Sequence, residues 1–216
     1  MTNLVEKITK AKIHESMPVP FLMEKTIERK NAHLGPHGEI VVNTGKHTGR
    51  SADDKYVVMN EISKDKIWWE NNINQMNQET FFQLKNDVLE YLNNSTEVFH
   101  TKRSIGNSKH FALNIDLLSS EPNSNHFAYY MFKDYQPMAQ DEYQIIHAPG
   151  FKLDKTKYNT RSETVIVTCF KDKTTIIIGT YYAGEIKKSM FSIMNFLLPE
   201  KNVLPMHSGA CANKNG

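Results

Sequence analysis

Residues 164–201 constrain the fold more than any other stretch of this chain. "TVIVTCF" and "TTIIIGTYY" are β-branched runs separated only by "KDK", which reads as a buried antiparallel hairpin. "AGEIKKSMFSIMNFLLPEK" follows at once. It places Ile186, Met190, Ile193, Met194 and Leu197 on one helical face, and Pro199 ends the helix.

Elsewhere the punctuation is shorter-ranged. "PFLMEKTIERK" follows two prolines and reads as a short helix. "GPHGEIVVNTG" is turn, strand, turn, and "DDKYVV" is a further short strand. "NQETFFQLKNDVLEYL" carries Phe81, Leu84, Val88, Tyr91 and Leu92 at helical spacing. "KHFALNIDLL" alternates as a half-buried strand does, "SSEPNSN" reads as a loop by composition, and "HFAYYMF" fits either helix or strand. Strands and helices mix without a regular βαβ period. The expected class is α/β with mixed α+β character: a mixed β-sheet with flanking helices.

At 216 residues the chain has room for one good-sized domain, or one plus the start of another. A net charge of only +2 gives no electrostatic case for nucleic acid or an anionic membrane as partner. No apolar run approaches the roughly 20 residues of a membrane helix. "MTNLVEKITKAKIHES" lacks the apolar centre of a signal peptide. Cys169 and Cys211 show no metal-type spacing, so reduced thiols in a cytoplasmic protein are expected.

Three segments carry residues suited to chemistry. "NTGKHTGRSADDKY" looks at first like a nucleotide phosphate loop, but that loop needs a glycine five residues before its Gly-Lys pair and Ser or Thr after it. Ile40 and His47 stand at those places. What remains is a tight turn carrying Arg50, one of 4 arginines against 22 lysines. Its two-pronged guanidinium either grips a carboxylate or phosphate, or ties Asp53 or Asp54 to the loop. In "GTYYAGEIKKSMF" a strand runs through a small-residue turn into a helix whose first turn holds Glu185, Lys187 and Lys188. Helix N-termini disfavour cations by a few tenths to about 1 kcal/mol. The lysines are either solvated on the polar face, or there because a crowded ammonium loses its proton and can ligate a metal or act as a base. In "LPMHSGACANKNG", His207 is a metal ligand only if partners arrive from elsewhere. His33, His37 and His47 read as a surface turn.

Taken together, "NTGKHTGRSADDKY", "IWW" at Ile67–Trp69, "HAPGFK…TRSETVIVTCF" and "GTYYAGEIKKSMFSIMNFLLPEKNVLPMH" resemble the ATP-dependent phosphoenolpyruvate carboxykinase family. The likeness runs in order along most of the chain, densest at Glu39–Val58 and Ala148–His207. It implies a substrate-binding domain over residues 1–202 and, over 203–216, the opening of a nucleotide-binding domain. The implied reaction converts oxaloacetate and ATP to phosphoenolpyruvate, ADP and carbon dioxide, with Mn and Mg ions. Matched by motif, Arg50 corresponds to the arginine that binds the substrate carboxylate, and Tyr182 to a tyrosine beside the substrate. Lys188 and His207 correspond to the Mn ligands at the nucleotide side of the site, and Lys187 to a neighbouring active-site lysine.

Departures from the family pattern are Ala52 for a proline, His147 for an asparagine, and Ser208-Gly209-Ala210-Cys211 after the histidine. The resemblance also implies that the family's Gly-Lys-Thr-Thr phosphate loop would follow within about ten residues of Gly216. The isolated chain is therefore expected not to turn over. A non-catalytic remnant, or a stand-alone anion-binding module of the same fold, is the alternative expectation.

Overall fold

The β-branched hairpin forms as its pattern demands. In the computed structural model, which describes residues 3–70, 73–106, 108, 110–137, 139, 141–209 and 211–214, Val165–Cys169 and Thr174–Ile178 pair antiparallel, Val167 opposite Ile176. In chain order the first elements are β1 (Lys12–Glu15), α1 (Val19–Glu28), β2 (Ala32–Leu34), β3 (Ile40–Val42), β4 (Lys55–Val58) and β5 (Asn74–Met76). Next come α2 (Gln78–Asn93), β6 (Glu97–Ile105), β7 (Leu113–Ser119), α3 (Pro122–Met131) and β8 (Lys133–Asp134). The last are β9 (Asp141–Ala148), α4 (Lys155–Tyr158), the hairpin strands β10 and β11, and α5 (Gly184–Leu197).

Among the described residues the hairpin lies inside one large sheet of order β1-β6-β7-β9-β11-β10-β4-β5, with β8 beside β6. Most neighbours are parallel; β6 with β7, β6 with β8 and β10 with β11 are antiparallel. The separate ribbon β2–β3 leads into the Arg50 loop.

The pleat sends alternate residues to two cores. Ile146, Val165, Val167, Ile176 and Ile178 pack with Phe81, Leu84, Val88 and Leu92 of α2. Ile145, Ile166 and Ile177 pack with Ala128 of α3 and Ile186, Met190 and Ile193 of α5. Helices on both faces account for a sheet whose central strands are buried throughout.

Two expectations change. β7 is buried at every position rather than on one face. Its polar residues are satisfied inside: Asp116 receives His100 Nε2 at 2.6 Å, and Asn114 donates to the Gln136 carbonyl at 2.9 Å. Alternation in β7 therefore marks polar contacts inside the core and not a solvent face. The expected loop at 119–125 ends early, because Pro122 opens α3, where its fixed φ and missing N–H cost nothing.

His147, at the end of β9, is buried at 1% exposure. Ser124 Oγ (2.7 Å) and Ser119 Oγ (3.2 Å) lie against its Nδ1, and its Nε2–H donates to the Thr180 carbonyl at 3.0 Å. Burial lowers its pKa to about 4, so it is a neutral strut between β9, α3 and the turn after β11.

Candidate active site

The site is built where β11 hands over to α5. Gly179 leaves the strand at φ +74°, and a Cβ there would sit 2.5 Å from the Glu163 carbonyl oxygen and 2.8 Å from Thr164 Cα. Only glycine meets both demands. The chain then turns through Thr180, whose Oγ1 accepts the Tyr182 N–H at 3.1 Å, and α5 begins at Gly184. Gly184 is close-packed as well: an added Cβ would lie 2.4 Å from the Tyr182 ring, so that ring rests on the first turn of α5.

One residue later, Glu185 is 1% exposed. A carboxylate suits the second position of a helix, near the positive end of the dipole. Its Oε1 accepts the backbone N–H of Ser51 at 2.8 Å, across 134 residues of sequence. This clamps the Arg50 loop to the lysine-bearing turn. The loop is also held by a chain of side chains. Thr164 Oγ1 donates to the Gly179 carbonyl (3.2 Å) and so accepts from His47 Nε2–H (2.9 Å), leaving His47 Nδ1 to accept from Ser51 Oγ–H (2.9 Å). Glu185 Oε2, although buried, has no hydrogen-bond partner among the described residues.

The aspartates that were the alternative partners of Arg50 are engaged elsewhere. Asp53 pairs with Arg161 at 3.1 Å, and Asp54 accepts from Ser162 Oγ at 2.8 Å. Arg50 is exposed, and among the described residues no carboxylate lies within ion-pair distance of it.

Around Glu185 the cations act on one another. Partial burial lowers the Lys188 pKa, with Lys187 and Arg50 adding to the shift and Glu185 opposing it. Burial lowers that of Lys55 too, Arg50 and Lys188 again contributing. Lys55 Nζ donates to Ser192 Oγ on α5 at 2.9 Å. On the exposed side Lys187 Nζ lies 3.2 Å from His207 Nε2. The Lys188 ammonium lies 5.8 Å from the centre of the Phe191 ring, and His207 meets that same ring edge-on at 5.5 Å. Lys188 and His207 therefore flank one aromatic ring, and Lys187 is the lysine in contact with the imidazole.

The structure thus gathers Arg50, Lys187, Lys188 and His207 near α5, with Tyr182 at that helix's start. Arg50, Lys55, Lys187 and Lys188 against the single carboxylate of Glu185 leave a net positive cluster, suited to a small polyanion. Sequence reasoning assigned no role to Lys55, Ser51 or Glu185, and took His47 for a surface-turn residue. Only Glu185 left a signal, an acid in the first turn of a helix that otherwise begins with two misplaced lysines.

Similarity to known proteins gives the family. The family model described as phosphoenolpyruvate carboxykinase matches residues 11–216. The chain belongs to the ATP-dependent phosphoenolpyruvate carboxykinase family. A Brevibacillus brevis protein named "Phosphoenolpyruvate carboxykinase (ATP)" is 40% identical over 224 residues, covering 100% of this chain and 42% of its own length. A Geobacillus kaustophilus protein of the same name is 38% identical with the same coverage. The chain thus spans less than half the length of these carboxykinases. No helix among its described residues is long and apolar enough to cross a membrane.

Proposed function

We propose that this chain forms the substrate side of a carboxykinase that converts oxaloacetate and ATP to phosphoenolpyruvate, ADP and carbon dioxide. The observation that carries this reading is the Ser51–Glu185 clamp, which brings a carboxylate-free arginine to the turn bearing Lys187 and Lys188. In this reading Arg50 binds a substrate carboxylate through paired hydrogen bonds, and Tyr182 lines the substrate. Residues 1–202 form the substrate domain and 203–216 open the nucleotide domain, in a protein of the cytoplasm.

Mn is the cofactor proposed for Lys188 and His207, with Mg accompanying ATP. The donors fit in part: a lysine amine whose pKa is pushed down and an imidazole share one ring as neighbour. Among the described residues no group of three His, Cys, Asp or Glu stands ready for a metal. The remaining positions around the ion would suit oxygen ligands such as substrate and water. A bound Mn ion would supply Lewis-acid stabilisation of enolate charge.

The chain's own residues do the rest by position and charge. Cleavage of the bond to the departing carboxylate releases carbon dioxide and leaves its electron pair on an enolate oxygen. Arg50 and Lys187 lower the cost of that negative charge before the oxygen attacks the γ-phosphorus and ADP departs. Arg50 also keeps the pyruvyl fragment from drifting. Glu185 holds the Arg50 loop and offsets part of the cation repulsion. No Gly-x4-Gly-Lys-Ser/Thr run occurs in these 216 residues, so none of them is assigned to the ATP phosphates.

The test is a chimera in which this chain replaces the matched segment of the Brevibacillus brevis relative. It should form phosphoenolpyruvate from oxaloacetate and ATP in the presence of Mn. Lys188→Met should raise the Mn concentration needed for half-maximal rate at least about tenfold, the size of effect expected for a lost ligand or its support. A folded chimera with no turnover, or an unchanged Mn requirement in the variant, contradicts the assignment.

A further inference from the structure

A cavity of about 340 Å³ opens between β4, β10, the 66–68 segment and α5. That is the lower end of the size range of small-molecule sites. Arg50, Tyr182, Lys187, Lys188 and His207 do not line it. Its lining is mixed: Ile67, Ile166 and Phe196 supply apolar surface, the Phe196 ring stacking on Phe170 at 3.7 Å and 11°, while Lys55, Lys66 and Ser189 are among the polar residues, the Lys66 ammonium lying 5.5 Å from the Phe196 ring centre. Trp68 stands at the edge, 70% exposed.

Two of the polar lining residues carry unused donor capacity. Ser189 is 1% exposed and its hydroxyl has no hydrogen-bond partner among the described residues. Lys55 Nζ gives one hydrogen to Ser192 Oγ, which leaves two more on an ammonium. Among the described residues no aspartate or glutamate lines the cavity. A buried hydroxyl and a partly desolvated ammonium carry a cost that an anionic acceptor would relieve.

We propose that this cavity binds a small monocarboxylate with an apolar or aromatic body, its carboxylate on Lys55 Nζ and Ser189 Oγ and its body against Phe196 and Ile166. Both halves of such a ligand are needed. The charge answers the donors, and the body fills a space that water occupies poorly. The cavity shares Lys55 with the cationic cluster around Glu185 and uses none of Arg50, Tyr182, Lys187, Lys188 or His207.

Benzoate is the probe, titrated into the 216-residue chain carrying Trp69→Phe, so that Trp68 alone reports by fluorescence. Saturable binding is expected with Kd on the order of 1 mM, as suits a ligand of this size. Benzyl alcohol, which lacks the charge, and acetate, which lacks the body, should each bind at least about tenfold more weakly. Lys55→Met should weaken benzoate by about tenfold or more and leave benzyl alcohol within about twofold, while Arg50→Ala leaves benzoate unchanged. Ser189→Ala removes a single hydroxyl and should weaken benzoate several-fold; it decides the matter if Lys55→Met does not fold. No saturable response up to about 20 mM, about twenty times the expected Kd, would overturn the proposal. So would equal affinity for acetate, or binding lost in Arg50→Ala but kept in Lys55→Met and Ser189→Ala.

Discussion

Arg50→Ala, introduced into the chimera, is expected to lower kcat/KM for oxaloacetate by about a hundredfold or more, with ATP affinity changed less than about twofold. The size follows from removing a charged, two-pronged partner from a substrate carboxylate, worth roughly 3 kcal/mol in a partly desolvated site. The fold should be indifferent. Arg50 is exposed, and its loop is fixed by the Ser51 N–H on Glu185 and by Ser51 Oγ on His47, neither of which uses the guanidinium. Steady-state kinetics with each substrate varied in turn check this. If the constants for oxaloacetate match those of the parent, Arg50 has no place at the substrate.

The second large effect concerns stability in acid. His147 is held neutral in the folded protein with its pKa lowered from 6.5 to about 4. Unfolded chains take up the proton near pH 6.5, and the folded chain takes it up only near pH 4. Between those values the unfolded state binds more protons, so stability falls as pH falls across that window and the loss is complete below about pH 4. At pH 4.5 the contribution is about 2 to 3 kcal/mol relative to pH 7. Urea unfolding of the 216-residue chain at both pH values, set beside His147→Asn, measures it. The variant should lose less stability between the two pH values by about that amount, whatever its starting stability. Equal losses in both proteins would mean that His147 titrates as a solvated imidazole does.

What the sequence disclosed follows from where one physical pattern dominated. In β10, β11 and α5 the apolar period is unbroken, because these elements form the centre of the sheet and its covering helix. In β7 a polar residue between apolar ones looked like a solvent face, yet Asn114 and Asp116 are partnered inside the core. The same internal pairing obscures β6, where His100, Thr101, Arg103 and Ser104 are all buried in mid-strand. The two terminal nitrogens of Arg103 donate there to the carbonyls of Tyr129 and Phe132 and to Asp134. Composition cannot distinguish such a strand from a surface one.

The site divides in the same way. Arg50, Tyr182, Lys187, Lys188 and His207 are proposed from motif resemblance, and the misplaced lysines give a physical hint of their own. The Glu185–Ser51 bond joins residues 134 positions apart and has no local signature. His47 sat among histidines in a glycine-rich turn, and only the fold brings Thr164 to its other nitrogen. The partnerless Oε2 of Glu185 and the amine of Lys55 likewise exist as features only once β4 and α5 are side by side.

The most direct test of the central arrangement is diffraction at the Mn absorption edge from crystals of the chimera grown with MnCl2 and oxalate. A single strong peak is expected at bonding distance, about 2 Å, from both Lys188 Nζ and His207 Nε2, with oxalate facing Arg50. A Mn peak bound by neither nitrogen, with oxalate away from Arg50, would contradict the account.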